Sequence, residues 1–319
     1  MHKHSVRAIR FASIGLVVLG LCGCAHPPRS HIQVARAGAE KGDARAQYDL
    51  AKCYSRGDGV PRDYAKAAAY LRQSADQGYS YAQADLGSYY ARGLGVKKDF
   101  QEAIVWYRKA AAQGDALAQY CIGYAYDHGD GVPKDFDEAV KWWQRSARQG
   151  EVNAQNALGQ LYFNGSAPGD TNRVNYSESA RWLHKAAEQG FVGSMNNLAF
   201  LYQNGWGVKK DLQKALKWYR LAAQKGEAMA QANLGLMYQD GAGVPVDMVQ
   251  AYKWFTLSAE QANVVGKHYF EDYNEHHRLA PAQLAEAERM VADFHTQTRS
   301  NKSAFAPTVQ LPSTPPSSK

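Results

Sequence analysis

Residues 78–113 read GYSYAQADLGSYYARGLGVKKDFQEAIVWYRKAAAQ, and residues 114–149 read GDALAQYCIGYAYDHGDGVPKDFDEAVKWWQRSARQ. Laid one over the other, they keep the same kind of residue at about a dozen positions, the mark of a repeated supersecondary unit. The register runs on in both directions. Its marker glycines are Gly42, Gly78, Gly114, Gly150, Gly190 and Gly226, 36 residues apart except for one step of 40. A period in this range means copies of one unit stacked on each other.

Within each unit the spacing is helical. Twelve residues after each glycine stands a tyrosine: Tyr54, Tyr90, Tyr126, Tyr162, Tyr202 and Tyr238. Four residues before it comes an aliphatic (Leu50, Leu86, Ile122, Leu158, Leu198, Leu234). Four earlier again is a small residue (Ala46, Ala82, Ala118, Ala154, Ser194, Ala230). The i, i+4, i+8 pattern is one face of an α-helix. A neighbouring small position (Ala51, Gly87, Gly123, Gly159, Ala199, Gly235) lets another helix approach closely.

Glycine then ends this first helix (Gly57, Gly93, Gly129, Gly165, Gly205, Gly241), where a left-handed cap is expected. Asp63, Asp99, Asp135, Asp211 and Asp247, with Asn175 in the fourth unit, are placed to cap a second helix. That helix carries a large aromatic in each copy: Tyr70, Trp106, Trp142, Trp182, Trp218 and Trp254. Both aromatic series do the same job six times and are expected in the core. Neither helix of such a hairpin can bury its apolar stripe alone, so the units must stack.

This pattern, GDAxAQxxLGxxYxxGxGVxxDxxxAxxWxxxAAxQ, closely resembles the Sel-one-like repeat (SLR) family, relatives of the tetratricopeptide repeats, over residues 31–298. The resemblance implies an all-α fold, a right-handed α-solenoid of six helix–turn–helix units with a capping helix at each end. The units fill 31–261, and capping helices fill 262–298. The fourth unit departs from the pattern: it lacks the second loop glycine and inserts four residues around Ser166–Tyr176. The fifth carries Phe191 and Met195 where other units favour alanine and glutamine nearby, and Trp206 breaks its loop consensus.

The first residues are a targeting segment. Lys3, Arg7 and Arg10 precede the apolar run Phe11 to Leu21, too short to span a bilayer as a helix. Leu21-Cys22-Gly23-Cys24 looks like a bacterial lipobox, and the small Gly23 selects Cys24 for lipidation. Residues 1–23 are then a lipoprotein signal peptide and 24–30 a tether. Triacylation supplies durable membrane anchoring. Ala25 after the cysteine points to the outer membrane by resemblance to proteobacterial lipoproteins. Residues 299–319, rich in Pro, Ser and Thr, are expected to be disordered.

The chain carries a net charge of +7, from 37 basic and 30 acidic residues. Without the three cations of the targeting segment the balance is even enough to exclude a nucleic-acid partner. Cys53 and Cys121 lie two repeats apart. At helix spacings of about 8–10 Å that is beyond disulfide reach, so both read as packed small residues.

Chemistry is scarce. No phosphate-binding glycine loop, metalloprotease motif or nucleophile elbow is present, and no cofactor is expected. His268, Asp272 and His276 share a helical face at i, i+4, i+8, a spacing able to hold a divalent metal. A polar capping helix exposes such residues as a matter of course, and no metal site is assigned there.

Function is expected where the copies differ. First-helix offsets six, ten and thirteen face away from the packed stripe. They carry Tyr48, Tyr120, Tyr124, Asn156, Gln160, Phe163, Asn196, Phe200, Gln203 and Leu236. In related superhelices the first helices line the concave surface. Aromatics and amides with almost no charge suit a peptide or protein groove, centred on the third to fifth units. The other reading of these aromatics is lateral packing between units. The resemblance implies a non-enzymatic adaptor or scaffold of the cell envelope. Two alternatives follow from relatives: a muropeptide- or β-lactam-binding or hydrolysing protein, and an exopolysaccharide or envelope assembly factor.

Overall fold

The computed structural model describes residues 31–165, 174–261, 263–277 and 279–304. The signal segment, Cys24, the tether, most of the fourth unit's insertion and residues 305–319 lie outside the described residues.

Every unit is a pair of thirteen-residue helices. The pairs are α2 (Ala44–Arg56) with α3 (Tyr64–Asp76), α4 (Ser80–Arg92) with α5 (Phe100–Ala112), and α6 (Ala116–His128) with α7 (Phe136–Arg148). They continue with α8 (Val152–Asn164) and α9 (Tyr176–Glu188), α10 (Val192–Asn204) and α11 (Leu212–Gln224), and α12 (Ala228–Asp240) and α13 (Met248–Glu260). Before them α1 (His31–Glu40) packs on α2 as an N-terminal cap. After them come α14 (Val264–His276), against α12 and α13, and α15 (Pro281–Ala304), which returns onto α13. No strand occurs among the described residues. From α1 to α14 each helix packs on the next one in the chain, the arrangement of an α-solenoid.

The caps explain the uniform helix length. All six second helices begin at the expected residue: the side chains of Asp63, Asp99, Asp135, Asn175, Asp211 and Asp247 accept from a backbone N–H of the first turn. Five first helices end in a left-handed glycine. Gly165 differs, with φ 83° and ψ 176°, so the helix before the insertion ends without the left-handed turn expected there.

The interior is built by the small stripe. Ala82, Ala118, Ala154, Ser194 and Ala230 are fully buried, as are Leu86, Ile122, Leu158, Leu198 and Leu234. At Gly123 a Cβ would come within 2.5 Å of the Trp143 ring, so only glycine admits that helix. In the loops the second glycine meets the preceding unit: a Cβ on Gly95 would lie 2.2 Å from the Tyr64 carbonyl carbon.

Two expectations about the core are corrected. The six tyrosines from Tyr54 to Tyr238 are half-buried, not core residues. Their rings pack while their hydroxyls reach the surface, where Arg108 and Arg220 donate to Tyr126 and Tyr238 at 3.1 and 2.8 Å, and Arg72 donates to Tyr90. In the aromatic series Trp106, Trp182, Trp218 and Trp254 are buried, but Tyr70 and Trp142 are only half-buried. The buried position in all six copies is the following one, Leu71, Tyr107, Trp143, Leu183, Tyr219 and Phe255. Four residues after the invariant small residue of the same helix, it points straight at the first helix.

Glutamine pairs tie five of the six hairpins shut. Gln77 donates to buried Gln47, Gln113 to Gln83, Gln149 to Gln119, Gln189 to Gln155 and Gln261 to Gln231, all at 2.7–2.8 Å. Gln83, Gln155 and Gln231 pass the chain on to a carbonyl of the preceding unit, Ala75, Ala147 and Ala223. In the fifth unit both members are replaced together, by Met195 and Lys225. At the far end α15 runs through Ala304, so residues 299–304 are helical where a disordered tail was expected.

Candidate functional site

The first helices lie along one side of the array, and three neighbouring pairs of them are joined by side-chain bonds at or beside the variable positions. Lys52 pairs with Asp85 at 2.8 Å across the first and second units. Ser194 donates to Asn156 at 2.8 Å, and Asn233 to Asn196 at 3.1 Å. The ten candidate residues therefore lie along a strip in separate groups, not in a single pocket.

Tyr120 and Tyr124 line a cleft of about 480 Å³ between α4, α5 and α6. Its floor is Ala103, Ile104, Tyr107 and Cys121, and Arg92, Lys98 and Asp130 stand at its edge. Burial pushes the Cys121 thiol up to about 12 and raises Tyr107, Tyr120 and Tyr124. All four are neutral at pH 7, so the floor offers apolar surface and protonated hydroxyls, with no thiolate nucleophile. The Tyr124 ring stacks on His128, 3.9 Å between centroids.

A second group joins the fourth and fifth units. Phe163 and Phe200 lie 5.9 Å apart, and Tyr176 and Trp206 close a ring with them through three further contacts at 4.9–5.7 Å. Trp206 remains 40% exposed at the outer edge. The lateral packing of aromatics between units is thus realised here, with one exposed indole left over. A third group is Tyr48 with Tyr79 and Tyr81, ring centroids 5.3–6.4 Å apart.

The remaining candidates are divided. Gln203 accepts from the Tyr219 hydroxyl at 2.9 Å, and Asn156 and Asn196 serve the bonds between units. Gln160 is exposed. Leu236 packs against Ala251, Phe255 and Tyr273 under the C-terminal cap. Tyr79, Tyr81, Tyr107 and Phe100 were not singled out in the sequence. Tyr79 had a visible signal: it stands where Asp43, Asp115 and Glu151 cap first helices, and it makes no capping bond.

His268, Asp272 and His276 assemble no group of three donors able to hold a metal ion among the described residues. His276 instead faces Asp272, Nδ1 to carboxylate 3.3 Å, and the contact with the Asp272 backbone and then its charge raise its pKa. Cys53 and Cys121 are free thiols. Among the described residues no helix is long and apolar enough to cross a membrane.

The Sel1 repeat family matches the chain six times, at residues 44–79, 80–115, 116–151, 152–191, 192–227 and 228–263. Among solved structures, a protective antigen of uropathogenic Escherichia coli strains displaying an SLR fold is 35% identical with a TM-score of 0.70, over 83% of this chain and 56% of that one. This chain thus spans little more than half of that protein's length. A Sel1 repeat protein from Oxalobacter formigenes is 30% identical with a TM-score of 0.63, over 72% of this chain and 99% of that one. Curated proteins give no match.

Proposed function

The chain belongs to the Sel1 repeat family, and from that premise we propose that it is a non-catalytic adaptor of the bacterial cell envelope, holding a protein or peptide along its first-helix strip. The fold is one typically used for protein–protein interaction, and the family is generally of a scaffold type. The cleft at Tyr120 and Tyr124 carries the reading. It combines aromatic area, low charge and a floor of neutral groups, the features of an anchor pocket for an apolar side chain. The Phe163–Phe200–Trp206 group supplies a second anchor along the same strip.

The lipobox Leu21-Cys22-Gly23-Cys24 supports attachment through acylated Cys24, facing the periplasm from the outer membrane. Labelled palmitate should enter the wild-type chain and be lost in Cys24→Ser with Cys22 intact. Loss instead in Cys22→Ser would move the anchor.

For the groove, the soluble form beginning at Ala25 is incubated with envelope extract, with a photo-crosslinking residue at 124 or, as a control, at 108 on the second helix. One protein should be trapped at 124 alone, and Tyr124→Ala and Phe200→Ala should weaken its binding by about 2 kcal/mol each. Wild-type affinity in both variants removes the groove. Nitrocefin turnover by the purified chain would replace the adaptor reading with an enzymatic one.

A further inference from the structure

On the second-helix side the array repeats one contact. Arg72, Arg108 and Arg220 each reach the hydroxyl of the tyrosine eighteen residues ahead. The matching residues of the third, fourth and sixth units are Gln144, His184 and Thr256, and the tyrosine ahead of Gln144 is Tyr162. At Gln144 there is a cavity of about 360 Å³, lined by Gln144, Arg148, Tyr162, Glu178, Arg181 and Lys185 over Trp182. Among the described residues neither Gln144, Arg148 nor the Tyr162 hydroxyl makes a hydrogen bond or ion pair. Three donors without a partner among the described residues therefore line this space.

Its charge is decided by four side chains. Glu178 is taken up by Arg181, whose Nε and Nη2 donate to one carboxylate oxygen at 3.1 and 2.5 Å. Arg181 and Lys185 are both held over the Trp182 ring, 4.6 and 4.8 Å from its centroid. Arg148 adds a third cation, so the cavity carries two positive charges more than negative ones. A phosphoryl group at neutral pH carries about −1.5 to −2 and offers three acceptor oxygens to planar guanidinium and amide donors.

We propose that this cavity, at the copy where glutamine stands in the arginine position, is a phosphate-binding site separate from the first-helix strip. Gln144 and the Tyr162 hydroxyl donate to the phosphoryl oxygens, and Arg148 and Lys185 balance its charge. The group is supplied either by a soluble phosphate or by a phospholipid headgroup.

The test uses the soluble form beginning at Ala25, so that neither an acyl anchor nor the apolar run Phe11 to Leu21 itself binds vesicles. Equilibrium dialysis measures labelled inorganic phosphate, and flotation measures phosphatidylcholine vesicles with and without phosphatidic acid. Arg148→Ala and Lys185→Ala should each weaken binding by about tenfold or more, while Arg108→Ala, the same charge change in a regular unit, leaves it within about twofold. Saturable phosphate binding with this pattern supports a soluble source. The pattern on phosphatidic acid vesicles alone supports a lipid source. Absence of both, or equal weakening by Arg108→Ala, overturns the site.

Discussion

From the third unit to the sixth, the first helices α6, α8, α10 and α12 carry only Asp127 and Asp240 as ionised side chains. Helix α7 alone carries five: Asp137, Glu138, Lys141, Arg145 and Arg148. Both rows are rich in aromatics, yet the aromatics differ in what covers them. On the second helices a cation lies over Trp106, Trp142, Trp182, Trp218 and Trp254 in turn, at 3.8–5.7 Å. On the first helices Tyr124, Phe163 and Phe200 meet only other rings and a cleft. An aromatic covered by a lysine or arginine stem is already satisfied. One left to its neighbours is available to a partner, and that is the physical difference between the two sides.

Changes in the layer shared by both rows should have the largest effect. Leu158→Ala empties a fully buried site and should cost about 2–5 kcal/mol in urea unfolding, without favouring either row. A cost below that of an exposed alanine substitution would mean that the fourth unit contributes little to the core. Next is Gln149→Ala, which leaves buried Gln119 without its donor and should cost about 1–3 kcal/mol. Lys225→Ala, at the matching place in the fifth unit, should leave the midpoint unchanged. Asp135→Ala removes a second-helix cap and should cost about 1 kcal/mol. Arg220→Ala should fall within about 0.5 kcal/mol, because its contact with Tyr238 is exposed.

Acid sharpens the contrast through the caps. On the second helices, backbone N–H groups of Lys66 and Lys214 lower Asp63 and Asp211 below the usual 3.8. On the first helices, burial raises Asp115 above 3.8 and Glu227 above 4.5. As pH falls, Asp115 and Glu227 should protonate first. Their raised values mean that ionisation opposes folding, so the fold gains as pH drops through them. Asp63 and Asp211 favour folding while ionised, and that contribution is lost only at lower pH, through their own folded values. Carboxyl titration by NMR should show midpoints on opposite sides of 3.8 for Asp63 and Asp115. The reverse order would refute the assignment of burial to the first-helix caps.

Much of the fold was legible because spacing alone defines it. The six second-helix caps and the small stripe are local rules applied at fixed offsets, and both hold. What spacing could not distinguish was a residue that packs from one that packs and also surfaces. In the tyrosine series each ring packs while its hydroxyl edge reaches the surface, and a constant residue of that kind looks in the sequence the same as a buried one. The offset occupied by Leu71, Tyr107, Trp143, Leu183, Tyr219 and Phe255 varies in identity, so it was passed over although it is the better buried. The strip was legible as a set of variable positions. Its division into a cleft, a ring of packed aromatics and amides bonded between units depends on which neighbour each side chain meets across 36 or 40 residues.

The glutamine pairs have a consequence for how such a chain came to be. Both partners always belong to the same hairpin, Gln83 with Gln113 and Gln119 with Gln149, so a copied hairpin brings its own closure with it. Gene duplication can then lengthen the protein by whole cassettes without rewriting the flanking ones. The fifth copy, having exchanged both members for Met195 and Lys225, shows that a cassette can also diverge as a pair and keep its place in line.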